Sequence, residues 1–412
     1  MFDVDSTSQQ DLRSGHAPWQ AGQRSPRGTL ERDTRCDVLV VGGGITGSMV
    51  AEHLADQGRT VCVIDRERPG LGSTAASTAM LLWEIDRSLS SLTELYGFER
   101  AAEVYRLSVK AVSGLKGLAR SRRIRCAMRQ RSSLYLAAGD SGARELLAEH
   151  ELRTRAGLPG SYLDYQMLRG EFGLDREAAL LSPGSADADP LCLAHGLMAS
   201  AIAKGASIFE GDAVNYESSG SRAFVGLDDG RSIEADWVVL ATGYAMPDFV
   251  KSDLHSISSS CAIATPPQRP KARWREGVLI WEATENYLYA RTTTDNRIVV
   301  GGEDSDVITD PDDRTAAIPQ KTEAIQARLK TLLPDVDATA DFSWSGAFGT
   351  TSDGLPLIGA VPGRPRILAA YGYGGNGITF SFIASRLLAG RIAGRHQPWH
   401  DHFAVDRAHP TL

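Results

Sequence analysis

The chain is short of several things that mark whole classes of protein. Cysteine is scarce: Cys36, Cys62, Cys126, Cys192 and Cys261 are the only five in 412 residues, odd in number, far apart and without a CxxC. That usage excludes a disulfide framework and a cysteine zinc site, and it fits the reduced thiols of a cytoplasmic protein. Positive charge is not in surplus, since 44 Lys and Arg stand against 51 Asp and Glu, a formal net charge of -7. Phosphate-backbone binding needs clustered cations, so no nucleic-acid partner is expected. No apolar run approaches the roughly 18 residues that cross a bilayer, so no membrane span is expected. Residues 1 to 35 contain no apolar stretch of the secretory-signal kind. Neither a repeat nor a low-complexity linker is present. Hydrophobic residues at 42% and charged residues at 23% exclude wholesale disorder, collagen and a coiled coil. The length allows two or three domains, or two that interleave.

Glycine is what the chain has in the telling places. Cys36-Asp37-Val38-Leu39-Val40-Val41 is a short apolar run suited to a buried parallel strand, and Gly42-Gly43-Gly44-Ile45-Thr46-Gly47 follows it. A helical pattern from Ser48 to about Gln57 ends at Gly58, and a second β-branched run, Thr60 to Ile64, stops at Asp65. Within this GxGxxG, Gly42 allows a tight turn, Gly44 lets a pyrophosphate approach the backbone and Gly47 permits close helix-strand packing. The helix start, with Ile45 and Thr46, offers unpaired amides and a positive dipole end to phosphates. Asp65, 18 residues after Gly47 and followed by Arg66, stands where an acid can bond adenosine ribose hydroxyls. The pattern indicates a dinucleotide without separating NAD from FAD.

Further along, Leu92 to about Arg123 has helical spacing, and Arg120 to Arg131 holds six arginines. Those arginines read as a solvated helix end and turn, with an anion site as the alternative. A helix is expected over Leu191 to Ala203, strands over Ala206 to Val214 and Ala223 to Leu227, and a hairpin turn at Asp228-Asp229-Gly230. Trp237 to Leu240 reads as another buried strand running into Ala241-Thr242-Gly243. Residues 260 to 305 are strand-rich, including Tyr287 to Arg291 and Arg297 to Gly302. A helix spans Thr315 to Leu333, and a last one spans Ile378 to Ile392 before a loose tail.

Three stretches separate the dinucleotides. Gly72-Ser73-Thr74-Ala75-Ala76-Ser77-Thr78-Ala79-Met80 resembles the segment that follows the second strand in D-amino-acid-oxidase-type flavoproteins, where it runs beneath the pyrophosphate to the isoalloxazine. Ala241-Thr242-Gly243 is similar to that family's strand end over the cofactor. Asp353-Gly354-Leu355-Pro356-Leu357-Ile358-Gly359 and Gly372-Tyr373-Gly374-Gly375-Asn376-Gly377-Ile378-Thr379 resemble its C-terminal flavin-binding half. Over residues 36 to 395 the chain thus resembles FAD-dependent oxidoreductases of this type, closest to the γ-glutamylputrescine-oxidase-like and glycine-oxidase-like branch. The arm around Trp19 resembles that branch's N-terminal arm, against a reading of disorder from composition alone.

The resemblance implies an α/β fold: a Rossmann-like FAD-binding domain built from discontinuous segments, with an inserted α+β substrate domain containing a mixed sheet. The expected segments are 1–35 (arm), 36–95, 185–250 and 345–395 (FAD-binding), 96–184 and 251–344 (substrate-binding) and 396–412 (tail). It implies FAD contacts from Gly42, Gly44, Ile45, Thr46, Gly47, Asp65, Arg66, Ser73, Thr74, Ser77, Thr78, Ala79, Val214, Ala241, Thr242, Gly243, Asp353, Gly374, Gly375, Asn376, Gly377, Ile378 and Thr379. The glycines before the last helix allow close backbone approach, and amides at its N-terminus suit the negative charge of a reduced flavin.

The implied activity is oxidation of a C–N bond of a small amine or amino acid: hydride transfer to flavin N5, imine hydrolysis and reoxidation by oxygen to hydrogen peroxide. A dehydrogenase passing electrons to another acceptor, possibly as a subunit of a complex, is the alternative. A nicotinamide-dependent dehydrogenase leaves the glycine-rich C-terminal stretch unexplained. Family members often hold a substrate carboxylate with an arginine, for which a bidentate fork is suited; Arg291 is the candidate, with Tyr289 on the same strand face. In place of the arginine that some members carry before the C-terminal Asp-Gly stands Trp344-Ser345-Gly346-Ala347-Phe348-Gly349-Thr350. Trp344 and Phe348 are candidates for an aromatic wall, and with no cysteine there a C-terminal covalent flavin link is not expected. The His396, His400, His402 and His409 tail is not expected to bind a metal.

Overall fold

The computed structural model describes residues 12–19, 28–269, 274–305 and 310–408. The rest of the N-terminal arm, and His409, lie outside the described residues. Two large sheets organise what is described.

The first has nine strands among the described residues. At its centre Ser232–Leu240, Thr34–Val41, Val61–Asp65 and Ser207–Glu210 run parallel in that order. The sheet is covered on both faces, by helices on one and by loop residues such as Leu30, Val250 and Leu254 on the other, so its strands are apolar without alternation. Val38, Leu39 and Val40 are accordingly fully buried. Arg364–Tyr371 continues the parallel set beside Val238 to Leu240, and Leu357–Val361 returns antiparallel to it. Arg222–Leu227 and Ser232–Leu240 form the expected hairpin, with Gly230 at φ +86 in its turn. Helices Ile45–Asp56, Pro190–Ala203, Gly377–Ile392 and Phe98–Ser121 pack into one apolar layer against this sheet.

The second sheet has ten strands among the described residues and is mixed. From Arg13–Gly15 it passes through Phe342–Thr351, His255–Ala264, Ile298–Ser305, Tyr289–Thr292 and Leu279–Glu282 to Arg129–Leu136, Ala178–Asp187 and Met80–Leu81. Leu279–Glu282 and Arg129–Leu136 are parallel, while the other neighbours are antiparallel. The fold is therefore the α/β class expected, a Rossmann-like sheet joined to a mixed one.

Several local expectations are corrected. The helical run before Arg123 is two helices, Leu89–Tyr96 and Phe98–Ser121, because Gly97 takes φ +78 and turns the chain. The strand expected from Ala206 to Val214 splits into Ser207–Glu210 and Ala213–Ser219. The helix expected from Thr315 starts at Pro311, where Asp310 accepts from the amide of Asp312 at 2.8 Å and proline takes the first position. Of the six arginines between 120 and 131, Arg120, Arg123 and Arg125 are exposed as expected, while the other three are half-buried and ion-paired. Arg122 bridges Glu52 and Asp56, and Arg129 and Arg131 both bond Asp187. As far as residue 408 the tail is not loose: Phe403 is fully buried, and Arg407 reaches back to Asp353 with bonds of 2.7 and 2.8 Å.

Candidate cofactor and substrate cavity

A cavity of about 760 Å³ lies where the two sheets meet and is lined from both. The glycine turn forms one part of its wall. Gly42 has φ +101, and a Cβ there would stand 2.5 Å from the carbonyl oxygen of Ala241. A Cβ on Gly47 would stand 1.9 Å from the oxygen of Gly42, so the helix can seat on the turn only without a side chain there. Gly42, Gly44, Ile45 and Thr46 line the cavity, whereas Gly47 acts beneath them.

Asp65 and Arg66 also line it, with Val214 close by on the strand that follows Gly211, whose amide bonds the Asp65 carbonyl. The Asp65 carboxylate accepts from the amide of Gly43 at 2.7 Å and that of Glu67 at 2.9 Å, and burial pushes its pKa upward against those bonds. Ser73, Thr74, Ser77, Thr78 and Ala79 pass along the cavity, as do Ala241, Thr242 and Gly243. Thr74 Oγ1 accepts from the amide of Ile45 at 2.9 Å, while the buried Ser73 Oγ has no partner.

The C-terminal glycines close the wall. Gly374, Gly375, Asn376, Gly377 and Ile378 line the cavity, with Gly374 at φ +57. Asn376 donates to the carbonyl of Glu84 at 2.8 Å and accepts from the amide of Asp86 at 3.2 Å, so it ties the 82–86 loop to the helix start.

Three expectations change, and a fourth is narrowed. Asp353 does not reach the cavity; it is fully buried, held by Arg407 and by the Tyr96 hydroxyl at 2.5 Å. Burial opposes its charge, but these partners keep its pKa below the usual value. Thr379 is also off the cavity, its hydroxyl donating to the carbonyl of Leu82 at 2.9 Å. Arg291, proposed as a carboxylate clamp, lies under the Ser77–Ala79 segment. Its guanidinium donates to the carbonyls of Thr78 and Ala188 at 2.5 and 2.8 Å, faces Asp187 at 3.7 Å and stacks on Trp19 at 4.9 Å. Burial lowers its pKa to about 10 even with Asp187 resisting. Its fork is occupied by the framework, and it is not among the residues that line the cavity. Trp344 does line the cavity, but its indole N–H donates to the carbonyl of Ala76 at 2.8 Å, which leaves it an apolar wall without a polar group to offer.

Tyr289 stays on the cavity, with its hydroxyl bonded to Ser260 and Thr78. Around it are residues that sequence reasoning passed over as site residues: Asp86, Trp281, Tyr287 and Asp304. Asp86 is the notable one. It sits in an irregular loop, where no period or spacing marks an acid, and so no sequence signal distinguishes it. Asp86 is surrounded closely by chain but is an exposed residue, its carboxylate opening onto the cavity it lines. Burial raises its pKa to about 6, opposed by the Gly375 amide, which donates to it at 2.6 Å, and reinforced by Asp304.

This donor set suits an extended dinucleotide. A turn that admits no Cβ, an acid at a strand end, an unpartnered buried hydroxyl and a second glycine loop at a helix N-terminus follow one cavity wall. The family model for FAD-dependent oxidoreductases matches residues 37–391, and the chain belongs to that family. It is an FAD-dependent oxidoreductase. The γ-glutamylputrescine oxidoreductase of Escherichia coli strain K12 is 28% identical over 91% of this chain and 87% of its own length. Among solved structures, glycine oxidase from Geobacillus kaustophilus superposes with a TM-score of 0.77 at 22% identity, over 91% of this chain and 99% of that one. L-proline dehydrogenase from P. horikoshii superposes at 0.72 with 19% identity, over 91% and 98%. No helix among the described residues is long and apolar enough to cross a membrane.

Proposed function

We propose that the chain holds FAD non-covalently along this cavity and oxidises a C–N bond of a small amine or amino acid. The carrying observation is the continuous wall from Gly42 through Ser73–Ala79 to Gly374–Ile378, with the Ser73 hydroxyl left unpartnered. In this reading Gly44, Ile45 and Thr46 meet the pyrophosphate, Asp65 the ribose, and Gly374 to Gly377 the flavin's pyrimidine edge. The first sheet with helices Ile45–Asp56, Phe98–Ser121, Pro190–Ala203 and Gly377–Ile392 makes the FAD-binding part, and the second sheet, which takes in Met80–Leu81 and Phe342–Thr351, makes the substrate part, so the boundaries expected at 95/96 and 344/345 move. FAD held here would supply the hydride acceptor for the carbon beside the substrate nitrogen, with oxygen as the expected final oxidant and the imine product open to hydrolysis.

The chain's own work is to bind, orient and desolvate. Tyr289, Trp344 and Phe348 supply an apolar wall that keeps water from the reacting carbon. Cys261 also lines the cavity, but burial holds its thiol above the ordinary range, which disfavours a thiolate link to the cofactor. The test is the visible spectrum of the purified protein, followed by anaerobic addition of pooled amines and amino acids. Flavin bands that bleach, and return with peroxide in air, are expected. Return only with an artificial acceptor would replace oxygen as the oxidant, and a protein without flavin bands after FAD reconstitution would refute the reading.

A further inference from the structure

The side of the cavity built by the second sheet is acidic and aromatic. Asp86 and Asp304 line it together with Trp281, Tyr287 and Tyr289. The Trp281 and Tyr287 rings meet edge-on at 6.3 Å, and Tyr287 and Tyr289 lie 5.6 Å apart. The cations on the cavity wall, among the described residues, are Arg66 and Arg364. Both belong to the other side: Arg66 follows Asp65, and Arg364 donates to the Tyr216 carbonyl at 2.6 Å and stacks on Phe249. Arg291 is turned into the framework.

Two observations separate this wall from an ordinary acidic patch. The Asp86 carboxylate is fixed, with one oxygen accepting from the Gly375 amide at 2.6 Å and the other 3.4 Å from the Tyr287 hydroxyl, and it still presents surface to the cavity. Independently, Trp281 on the same wall is only 4% exposed and its indole N–H has no partner, a donor that an acceptor farther along a bound molecule would satisfy, so the ligand this wall fits carries an acceptor away from its ammonium end. A zwitterionic amino acid would bring its carboxylate against two acids with no cation to answer it, whereas an ammonium gains from both acids and from the ring faces.

Building on the assignment of C–N oxidation above, we propose that Asp86 receives the substrate's ammonium group and takes a proton from it, and that the site selects a cationic alkylamine without an α-carboxylate. In that step R–CH2–NH3+ and the Asp86 carboxylate become R–CH2–NH2 and the Asp86 carboxylic acid. One N–H bond breaks, one O–H bond forms, and nitrogen keeps the electron pair that assists departure of the hydride. Gly375 positions the carboxylate, and Asp304 adds negative potential that holds cations and repels carboxylates.

The test mixes FAD-loaded enzyme anaerobically with n-butylamine or glycine and follows flavin bleaching. n-Butylamine is expected to bleach with a half-saturating concentration at least about tenfold below that of glycine. Asp86→Asn should raise the n-butylamine value roughly tenfold to a hundredfold, the loss of a charge-assisted hydrogen bond, and slow the limiting rate while flavin content stays unchanged. Asp86→Glu should recover part of both. Tetramethylammonium, which carries no N–H, should compete with n-butylamine in the wild type and much less in Asp86→Asn. Should Asp86→Asn lose flavin, Asp304→Asn carries the test and should weaken n-butylamine binding without weakening glycine. Preference for glycine, or unchanged n-butylamine parameters in the variants, would overturn this inference and leave C–N oxidation standing. A flavin that no amine or amino acid bleaches would overturn both.

Discussion

Two acids in this molecule show how differently its regions use the same chemistry. Asp353 sits inside a sequence motif that resembles a flavin-binding half, yet Arg407 and Tyr96 occupy it completely and it touches no cavity. Asp86 sits in a loop with no motif, yet it faces the cavity. The same contrast holds for the two walls. On the Rossmann side, residues whose spacing marks them, such as Gly42, Gly44, Asp65 and Gly374, do line the cavity, because glycine turns and strand ends are placed by their near neighbours in the chain. On the mixed-sheet side, the marked cation Arg291 is a structural tie. A charged residue's role depends on whether its partners are already present, and partners from distant segments are invisible along the chain.

That comparison can be broken or sharpened. The largest expected effect is at the locked acid: Arg407→Met leaves Asp353 buried without its counter-charge and should cost on the order of 3–5 kcal/mol in denaturant unfolding. An unchanged midpoint would show that the tail does not hold Asp353 in solution. On the legible wall, Gly47→Ala places a Cβ 1.9 Å from the Gly42 oxygen. It should destabilise by about 1–3 kcal/mol and reduce flavin content after gel filtration; full occupancy would remove the turn from the cofactor site.

Arg291→Met should lose about 1–3 kcal/mol, because the carbonyls of Thr78 and Ala188 lose their donors while Asp187 keeps Arg129 and Arg131. It should change KM for an amine and for an amino acid alike. A selective rise for the amino acid would restore Arg291 as a carboxylate clamp. The smallest effect concerns pH in the flavin-free protein. The folded-state pKa of Asp86, about 6, exceeds its ordinary 3.8, so its contribution to stability is fully present below the lower value and is lost as pH rises through the upper one. Asp304, Tyr287 and Tyr244 face the same carboxylate, and Tyr287 and the Gly375 amide bond it. Asp86→Asn should therefore raise Tm slightly at pH 8 and not at pH 4; equal shifts at both would show that Asp86 is not held up by burial.

Much of the fold was legible because its signals are local. The apolar run of Val38 to Val41, the glycine spacing from Gly42 to Gly47 and the Asp228-Asp229-Gly230 turn each act within a few residues. The break at Gly97 was less so, since helical spacing continues across it and only the glycine's positive φ interrupts the helix. Trp344 was half legible. Its apolar wall followed from residue type, but its tie to the Ala76 carbonyl joins positions 268 apart.

By itself the amino-acid sequence determined the dinucleotide turn, the succession of strand, turn, helix and strand around it and the glycine loop before the last helix, because backbone conformation and short-range periodicity follow from neighbouring residues. Only the tertiary structure decided which charges remain available. Arg291 and Asp353 met partners brought from elsewhere in the chain and Asp86 kept a face open to the cavity, since burial and pairing depend on what the fold places within a few ångströms.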